Sequence, residues 1–168
     1  MTLADIMTTT VVTVSMDDNL RDIRQIFNRY RFHHVVVVED GKAVGIISDR
    51  DVLKHLSPFI GKLSERAQDV DCLNRRAHQI MTRRLMHATP ETPIADALAL
   101  MIQNDISCLP VLNADGKCIG VVTSRDMLRW CTRCALPTPN VASAPGPATK
   151  TAPASTQAPG VSAPYVAA

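Results

Sequence analysis

Residues 40–51 read DGKAVGIISDRD, and residues 115–126 read DGKCIGVVTSRD. A shorter match lies ahead of them, because Ile6-Met7-Thr8 recurs as Ile80-Met81-Thr82. The copies are 74 residues apart at the shorter match and 75 at the longer one, so one residue is inserted between the two matches. Self-similarity at a nearly fixed spacing is the signature of a repeated structural unit. The sequence therefore predicts two copies of one fold.

Hydrophobic periodicity predicts the same elements, in the same order, in both copies. Each copy has an amphipathic helix, a buried strand, a turn, a return strand and a second helix. In the first copy these elements fall at residues 20–30, 35–38, 40–41, 44–47 and 49–56; in the second they fall at 94–102, 109–112, 115–116, 119–122 and 125–130. One short hairpin with helices on one face cannot cover its own apolar surface. We therefore expect an α/β (α+β) body of two pseudo-two-fold-related β-α-β-β-α repeats packed together.

The repeats divide the chain into four parts. Repeat 1 covers residues 1–57, a polar connecting segment with weak helical periodicity at Leu63, Ala67 and Val70 covers 58–79, and repeat 2 covers 80–135. Residues 136–168 consist mainly of Ala, Pro, Ser and Thr. Such a composition cannot bury enough apolar surface to offset the entropy of ordering. The sequence predicts a disordered C-terminal tail.

Composition excludes several classes of function. A net charge of +2 gives no strong field, so nucleic acid is not indicated as a partner. The N-terminus lacks the features of a signal peptide, and no run approaches the roughly 18 apolar residues of a spanning helix. We expect no membrane partner and a cytoplasmic location. The five cysteines, an odd number, favour reduced thiols.

The end of each return strand carries the pattern Gly-x-x-Ser/Thr-x-x-Asp. A Ser or Thr where a strand meets a helix leaves backbone N–H groups facing outward, which suits a phosphate. An Asp three residues later can accept hydrogen bonds from the two hydroxyls of a ribose. The alternative is a capping box, in which Ser48 and Asp51, or Thr123 and Asp126, satisfy only their own helix N-termini. A single copy of this pattern favours capping.

The duplicated pattern, Gly45 to Asp51 and Gly120 to Asp126, resembles the cystathionine-β-synthase (CBS) domain family. The chain is similar to a stand-alone, bacterial-type tandem CBS pair, or Bateman module, over residues 1 to about 131. The resemblance implies a regulatory module that binds AMP, ADP or ATP, has no other cofactor and is not an enzyme. It also favours ligand binding over capping at the two Asp residues.

The resemblance implies two clefts, because in relatives the adenine lies against one repeat and the ribose-binding Asp comes from the other. The preferred cleft would use Ser48, Arg50, Asp51, Ile46, His33, His34, Thr82, Leu85, His87, Ile106 and Ser107. The mirror cleft would use Thr123, Arg125, Asp126, Val121, Thr8, Val11, Thr13 and Phe32, with His33 beside them.

The two clefts are not expected to be equal. His33 and His34 match positions where relatives place basic side chains toward phosphates, whereas the second repeat has Ser107 and Cys108 there. Adjacent residues of a strand point to opposite faces, so at most one of the two imidazoles reaches a ligand in a given cleft. The family's proline in the first hairpin strand is present as Pro110 but is replaced by Val36 in repeat 1, which puts the mirror cleft in further doubt.

The resemblance also implies partners, and two rival functions stay open. Helices ending near Leu56 and Trp130 expose a face that pairs two modules in relatives, so we expect a homodimer, and an unidentified effector protein would receive the signal. One rival is a structural docking scaffold that binds S-adenosylmethionine or no ligand. The other is a thiol- or metal-responsive protein acting through Cys131 and Cys134, although no second Cys-x-x-Cys completes a zinc site.

Overall fold

The computed structural model describes residues 1–30 and 32–135, except for the side chains of Cys134 and Ala135. The predicted tail, residues 136–168, lies outside the described residues. No helix in the described part of the chain is both long enough and apolar enough to cross a membrane.

Repeat 1 contains a three-stranded sheet and two helices. The chain runs through β1 (Thr13–Ser15), α1 (Leu20–Tyr30), β2 (His34–Glu39), β3 (Lys42–Ser48) and α2 (Asp49–His55). β1 pairs parallel to β2, and β2 pairs antiparallel to β3. Asp40 and Gly41 have φ angles of 49° and 77°, which are the two positive φ values that a type I′ hairpin turn requires. The helices, hairpin and turn predicted for the first copy are confirmed.

A polar segment with short helices connects the two repeats. It contains α3 (Ala67–Asp71), a 3₁₀ turn at Cys72–Asn74 and α4 (Ala77–Ile80). The turn packs on repeat 1, where Leu73 is buried and the N–H of Ser57 lies 3.4 Å from Cys72 Sγ. The predicted periodicity was wrong at Leu63, which is fully exposed and lies ahead of the first of these helices.

Repeat 2 follows the same order with one longer loop. Its elements are α5 (Ile94–Gln103), β4 (Cys108–Leu112), β5 (Cys118–Thr123) and α6 (Ser124–Ala135). The turn predicted at Asp115-Gly116 is part of a five-residue loop, in which the Gly116 N–H donates to Asn113 O at 3.0 Å. The inserted residue of the second copy lies in this loop, because the four residues 39–42 of repeat 1 correspond to the five residues 113–117 of repeat 2.

Pro110 explains why repeat 2 has no full counterpart of β1. Ala88 makes a single parallel bridge to Val111, and the Ala88 N–H donates to the Pro110 carbonyl at 3.0 Å. The N–H and C=O of one strand residue face the same edge, so the N–H that proline lacks would have faced this segment. Its absence removes a ladder bond that Val36 can make in repeat 1.

The entry segment of each repeat packs into the other repeat. Leu3, in a 3₁₀ turn at Leu3–Asp5, is buried in the core of repeat 2 with Ile94 and Leu109. Ala77 and Ile80 of α4 are buried in the core of repeat 1. The two repeats therefore exchange their entry segments, and neither core is complete without the other repeat.

The glycine of each motif allows this exchange. A Cβ atom on Gly45 would lie 2.6 Å from Met81 Sδ and 3.1 Å from the Thr82 carbonyl oxygen. A Cβ atom on Gly120 would lie 2.7 Å from Met7 Sδ. A side chain at either position would displace the methionine and crowd the backbone carbonyl of the exchanged segment, so glycine allows the segment to cross the return strand closely.

A third apolar cluster joins the two sheets. Val36 of repeat 1 and Leu112 and Cys118 of repeat 2 are buried together with Val11. The Ala43 N–H donates to Gly116 O at 3.0 Å across the same junction. This cluster fixes how the two hairpins lie side by side, and the candidate clefts lie where the hairpins meet the exchanged segments.

Candidate functional site

Asp51 lies at the start of α2 and makes a capping box with Ser48. Its Oδ2 accepts hydrogen bonds from the Ser48 N–H at 3.0 Å and the Ser48 hydroxyl at 2.6 Å. The Ser48 Oγ accepts from the Asp51 N–H at 3.2 Å. The capping box that was the alternative to ligand binding is therefore observed, and it uses the Oδ2 atom of Asp51. The other oxygen, Oδ1, lies 3.4 Å from Lys54 Nζ, and 20% of the Asp51 side chain is exposed.

Asp126 repeats this geometry in the second copy. Its Oδ2 accepts from the Thr123 N–H at 3.0 Å and the Thr123 hydroxyl at 2.6 Å, and Oδ1 lies 3.5 Å from Arg129 Nη1. Both motif carboxylates thus use one oxygen for the cap and turn the other toward a flexible basic side chain. Capping does not exhaust the hydrogen-bonding capacity of either group.

Hydrogen bonds keep Asp51 ionised. Burial disfavours the charged carboxylate, but the hydrogen bonds from Ser48 and the positive charge of Lys54 outweigh this effect and lower the pKa of Asp51. An ionised carboxylate can accept two hydroxyl hydrogen bonds at the oxygen that the cap leaves available.

Thr82 and Ser107 bring repeat 2 to the Asp51 motif. Thr82 exchanges two backbone hydrogen bonds with Ile46, of 2.9 and 3.2 Å, two residues before Ser48. Ser107 Oγ lies 3.3 Å from His34 Nε2, and His34 pairs with Ser48 in the sheet. The structure therefore brings together six residues predicted for the preferred cleft, Ile46, Ser48, Asp51, Thr82, Ser107 and His34.

His33 and His34 point in different directions, as expected for neighbours on a strand. His33 is exposed, and its Nδ1 lies 2.8 Å from Asp49 Oδ2. His34 is half-buried and faces Ser107. Burial lowers the pKa of His34, because desolvation of the imidazolium outweighs the attraction of Asp49 and Asp51. His34 is the imidazole that faces the other repeat.

The other residues predicted for the preferred cleft are on or near the same segments, but fewer of their side-chain contacts are with the residues around Asp51. Arg50 is exposed in the first turn of α2, and His87 is exposed with its Nδ1 3.3 Å from Leu85 O. Leu85 is half-buried, and Ile106 packs against the core of repeat 2. Arg50 lies on the helix that Asp51 begins, and the other three lie on the segments that carry Thr82 and Ser107, so their place in the cleft stays a prediction.

The mirror cleft has the same backbone frame but fewer accessible side chains. Thr8 exchanges hydrogen bonds of 2.9 and 3.0 Å with Val121. Val11 is 2% exposed, Thr13 is buried in β1, and Phe32 stacks on Tyr30 with ring centroids 5.5 Å apart.

Cys108 occupies the mirror-cleft position that His34 occupies in the preferred one. It pairs with Thr123 in the sheet as His34 pairs with Ser48. Burial, with smaller contributions from Cys118 and Asp126, raises the pKa of the Cys108 thiol to about 12. An uncharged thiol therefore stands beside Asp126 where an imidazole stands near Asp51.

Two arginines that directly follow Thr82 were not predicted as site residues from the sequence. Arg83 and Arg84 follow Thr82, both are exposed, and Arg83 Nη2 donates to His78 O at 3.0 Å. Aligning the copies at the 74-residue spacing would have found them, because Thr9 and Thr10 stand at the equivalent positions after Thr8.

One of the two cysteines of the thiol alternative lies among the described side chains. Cys131 is half-buried on α6, and the side chain of Cys134 lies outside the description. Among the described side chains, no group of three or more His, Cys, Asp or Glu residues is arranged to hold a metal ion.

Comparison with known proteins places this geometry in a family. The sequence model of the CBS domain family matches residues 3–58 and 77–133. The uncharacterised protein MJ1426 of Methanocaldococcus jannaschii is 32% identical over 151 residues, which span 76% of this chain and 89% of that protein.

Two solved structures share the fold. The CBS domain pair of protein MJ0100, in complex with 5′-methylthioadenosine and S-adenosyl-L-methionine, matches with a TM-score of 0.67 at 23% identity and covers 80% of this chain and 98% of that one. The structure of CBSX2 in complex with AMP matches with a TM-score of 0.65 at 23% identity. The match covers 79% of this chain and 97% of the CBSX2 chain. The chain belongs to the CBS domain family, and its two matched segments form a tandem CBS pair.

Proposed function

We propose that this CBS pair is a regulatory module that binds an adenine nucleotide, AMP, ADP or ATP, in the cleft beside Asp51. The observation that carries the proposal is the meeting of the two repeats beside an ionised carboxylate, through the backbone of Thr82 and the side chains of Ser107 and His34. Asp51 and His34 come from repeat 1, and Thr82 and Ser107 come from repeat 2.

Each part of a nucleotide has a matching group at this cleft. The Oδ1 atom of Asp51 accepts hydrogen bonds from the ribose hydroxyls, while Oδ2 keeps its cap on α2. Arg50 and His34 face the phosphates. The backbone and side chain of Thr82, with Ile46 and Leu85, form the wall for the base. The adenosyl ligands of MJ0100 and CBSX2 support this class of ligand.

Binding at a junction gives the module a way to signal. A nucleotide that contacts both repeats favours the arrangement of repeats in which all of its contacts form, and this difference in affinity shifts the population of that arrangement. In this proposal an effector protein recognises the favoured arrangement and receives the signal. We propose that the module reports the energy state of the cell in this way.

We further propose that the module is a homodimer formed through its helices. An open groove of about 500 Å³ lies between α5 and α6 and is lined by Leu98, Ile102, Met127 and Leu128 among others. Ile102 and Leu128 are 71% and 67% exposed, and Leu53 on α2, the counterpart of Leu128, is 70% exposed. Large apolar side chains at this exposure on adjacent helices are typical of a protein interface.

The test is calorimetric titration of the intact chain with AMP, ADP, ATP, S-adenosylmethionine and Zn²⁺. Asp51→Asn keeps an oxygen for the cap but removes the charge, and we expect it to lose at least tenfold in nucleotide affinity. Asp126→Asn makes the same change in the equivalent cap and is the matched control. It should bind nucleotide at the Asp51 cleft as the wild type does.

The alternatives give different results in the same panel. If Asp51→Asn binds nucleotide with unchanged affinity, the proposed site is wrong. If no adenosyl compound binds at about 1 mM, a docking scaffold replaces the proposed sensor. Zn²⁺ binding that is lost in Cys131→Ser would instead favour the thiol- or metal-responsive function.

A further inference from the structure

A basic side chain from the same helix, three residues later, lies beside each motif carboxylate. Lys54 Nζ lies 3.4 Å from Asp51 Oδ1, and Arg129 Nη1 lies 3.5 Å from Asp126 Oδ1. The hydrogen bonds that each carboxylate accepts in its cap go to the other oxygen, Oδ2. The oxygen that the cap leaves available is therefore paired with a cation of its own helix.

Helix geometry explains this pairing and shows which side chain can move. Residues three apart lie on the same side of an α-helix, so Asp51 and Lys54 are neighbours on α2. Two hydrogen bonds from Ser48 to Oδ2 fix the carboxylate in place. The lysine side chain is 71% exposed. Opening the pair therefore requires movement of Lys54, and Asp51 can stay in its cap.

The proposed ribose contact needs the same oxygen that Lys54 approaches. An ionised carboxylate has about four acceptor sites, two on each oxygen. The two ribose hydroxyls would use both sites on Asp51 Oδ1. The ammonium group of Lys54 takes one of these sites and withdraws negative charge from the other. Binding of both hydroxyls and the Lys54 contact therefore exclude each other.

The pair is weak enough for a ligand to open it. Burial opposes ionisation of Asp51, and the hydrogen bonds from Ser48, followed by the hydrogen bond and charge of Lys54, lower the pKa of Asp51. Water screens an ion pair with an exposed lysine, and holding the long side chain in one place costs entropy. Lys54 thus supports the charge of Asp51 without holding the carboxylate strongly.

We propose that Lys54 competes with the ribose for Asp51 Oδ1 and so sets the nucleotide affinity of this cleft below the value that the other contacts would give. The inference rests on the proposed function, since it uses the assignment of the ribose to Oδ1. A nucleotide with both hydroxyls has to displace the ammonium group before it binds fully. Lys54 therefore raises the concentration range in which the cleft responds.

The test is a thermodynamic cycle, measured by calorimetry with AMP and with dideoxy-AMP, which lacks both ribose hydroxyls. All proteins carry Asp126→Asn, so that the mirror carboxylate takes no part. Lys54→Met keeps a long unbranched side chain and removes the charge. The ratio of AMP affinity to dideoxy-AMP affinity should rise about twofold to fivefold, the range expected when an exposed ion pair is removed. The lost attraction to phosphate affects both ligands and cancels in the ratio.

Lys62→Met is the matched control. Lys62 is exposed in the connecting segment, with its Nζ 6.0 Å from the centre of the Phe59 ring, so the variant makes the same change in net charge away from both carboxylates. The affinity ratio should stay at the value of the parent protein. The pKa of Asp51, followed by NMR, should rise in Lys54→Met and stay constant in Lys62→Met.

Two results would overturn the competition, and a third concerns the site itself. An affinity ratio that is unchanged or lower in Lys54→Met shows that the lysine does not oppose the ribose. An unchanged pKa of Asp51 in this variant shows that the two groups are not in contact in solution. In both cases the proposed function stands if Asp51→Asn weakens AMP binding, and it fails if Asp51→Asn leaves AMP affinity unchanged.

Discussion

A single carboxylate in each repeat has two oxygen atoms with separate roles. In Asp51 the Oδ2 atom completes a capping box, and Oδ1 lies beside a flexible lysine. Capping and ligand binding are therefore compatible at this residue, although the sequence presents them as alternatives. The cap also fixes the orientation of the carboxylate, so little side-chain entropy is lost when a ribose binds.

The pH dependence of ATP binding should depend on His34. Burial lowers the pKa of its imidazole below the usual value of 6.5. The unfolded chain therefore binds this proton more readily. The contribution of His34 to the free energy of unfolding is fully present above pH 6.5 and is lost as pH falls through the lowered pKa. A bound phosphate favours the imidazolium, so the affinity for ATP should rise as pH falls through the same range.

The measurement compares the ATP dissociation constant at pH 7.5 and 6.0 in the wild type and in His34→Gln. Protonation of ATP itself is common to both proteins and cancels in the comparison. The wild type should gain severalfold in affinity relative to the variant on acidification. Equal changes in the two proteins would show that His34 does not face the phosphates.

At the scale of elements, periodicity predicted the helices and strands but not their partners. The runs from Leu20 and from Ile94 form helices as expected, because burial of one face depends on local spacing. No local pattern indicates which core a short entry segment joins, so the exchange of residues 3–5 and 77–80 was missed. The direction of His34 also depended on a contact 73 residues away, with Ser107.

The exposed face of α5 and α6 gives a prediction about assembly. Leu128→Glu places a charge where a second copy would cover the groove, so the protein should become monomeric while its free energy of unfolding changes little at low concentration. Light scattering coupled to size-exclusion chromatography measures the mass directly. Arg133→Glu, at an exposed position of α6 that does not line the groove, is the matched control. A monomeric wild type, or a dimer in both variants, would contradict the proposed interface.

At the scale of the whole molecule, exchanged entry segments make the two repeats one cooperative unit. Each core loses buried residues if the other repeat unfolds, since Leu3 belongs to one core and Ile80 to the other. Domains that share a core in this way unfold together and not in sequence.

Trp130 provides the measurement, because it is the one tryptophan of the chain and its Nε1 lies 3.4 Å from Met1 Sδ. Urea unfolding followed by Trp130 fluorescence and by far-ultraviolet circular dichroism should give coincident transitions. Leu3→Ala should lower both midpoints together, with a cost of about 2–5 kcal/mol. Two separate transitions would show that the repeats unfold independently.

The exchange has a further consequence for any attempt to divide the protein. A repeat expressed by itself would have an entry segment whose apolar side chains are exposed. Its own core would contain a cavity where the other repeat's entry segment normally packs. Two such halves could complete each other by trading segments between molecules, giving an intertwined pair that reproduces the intact module.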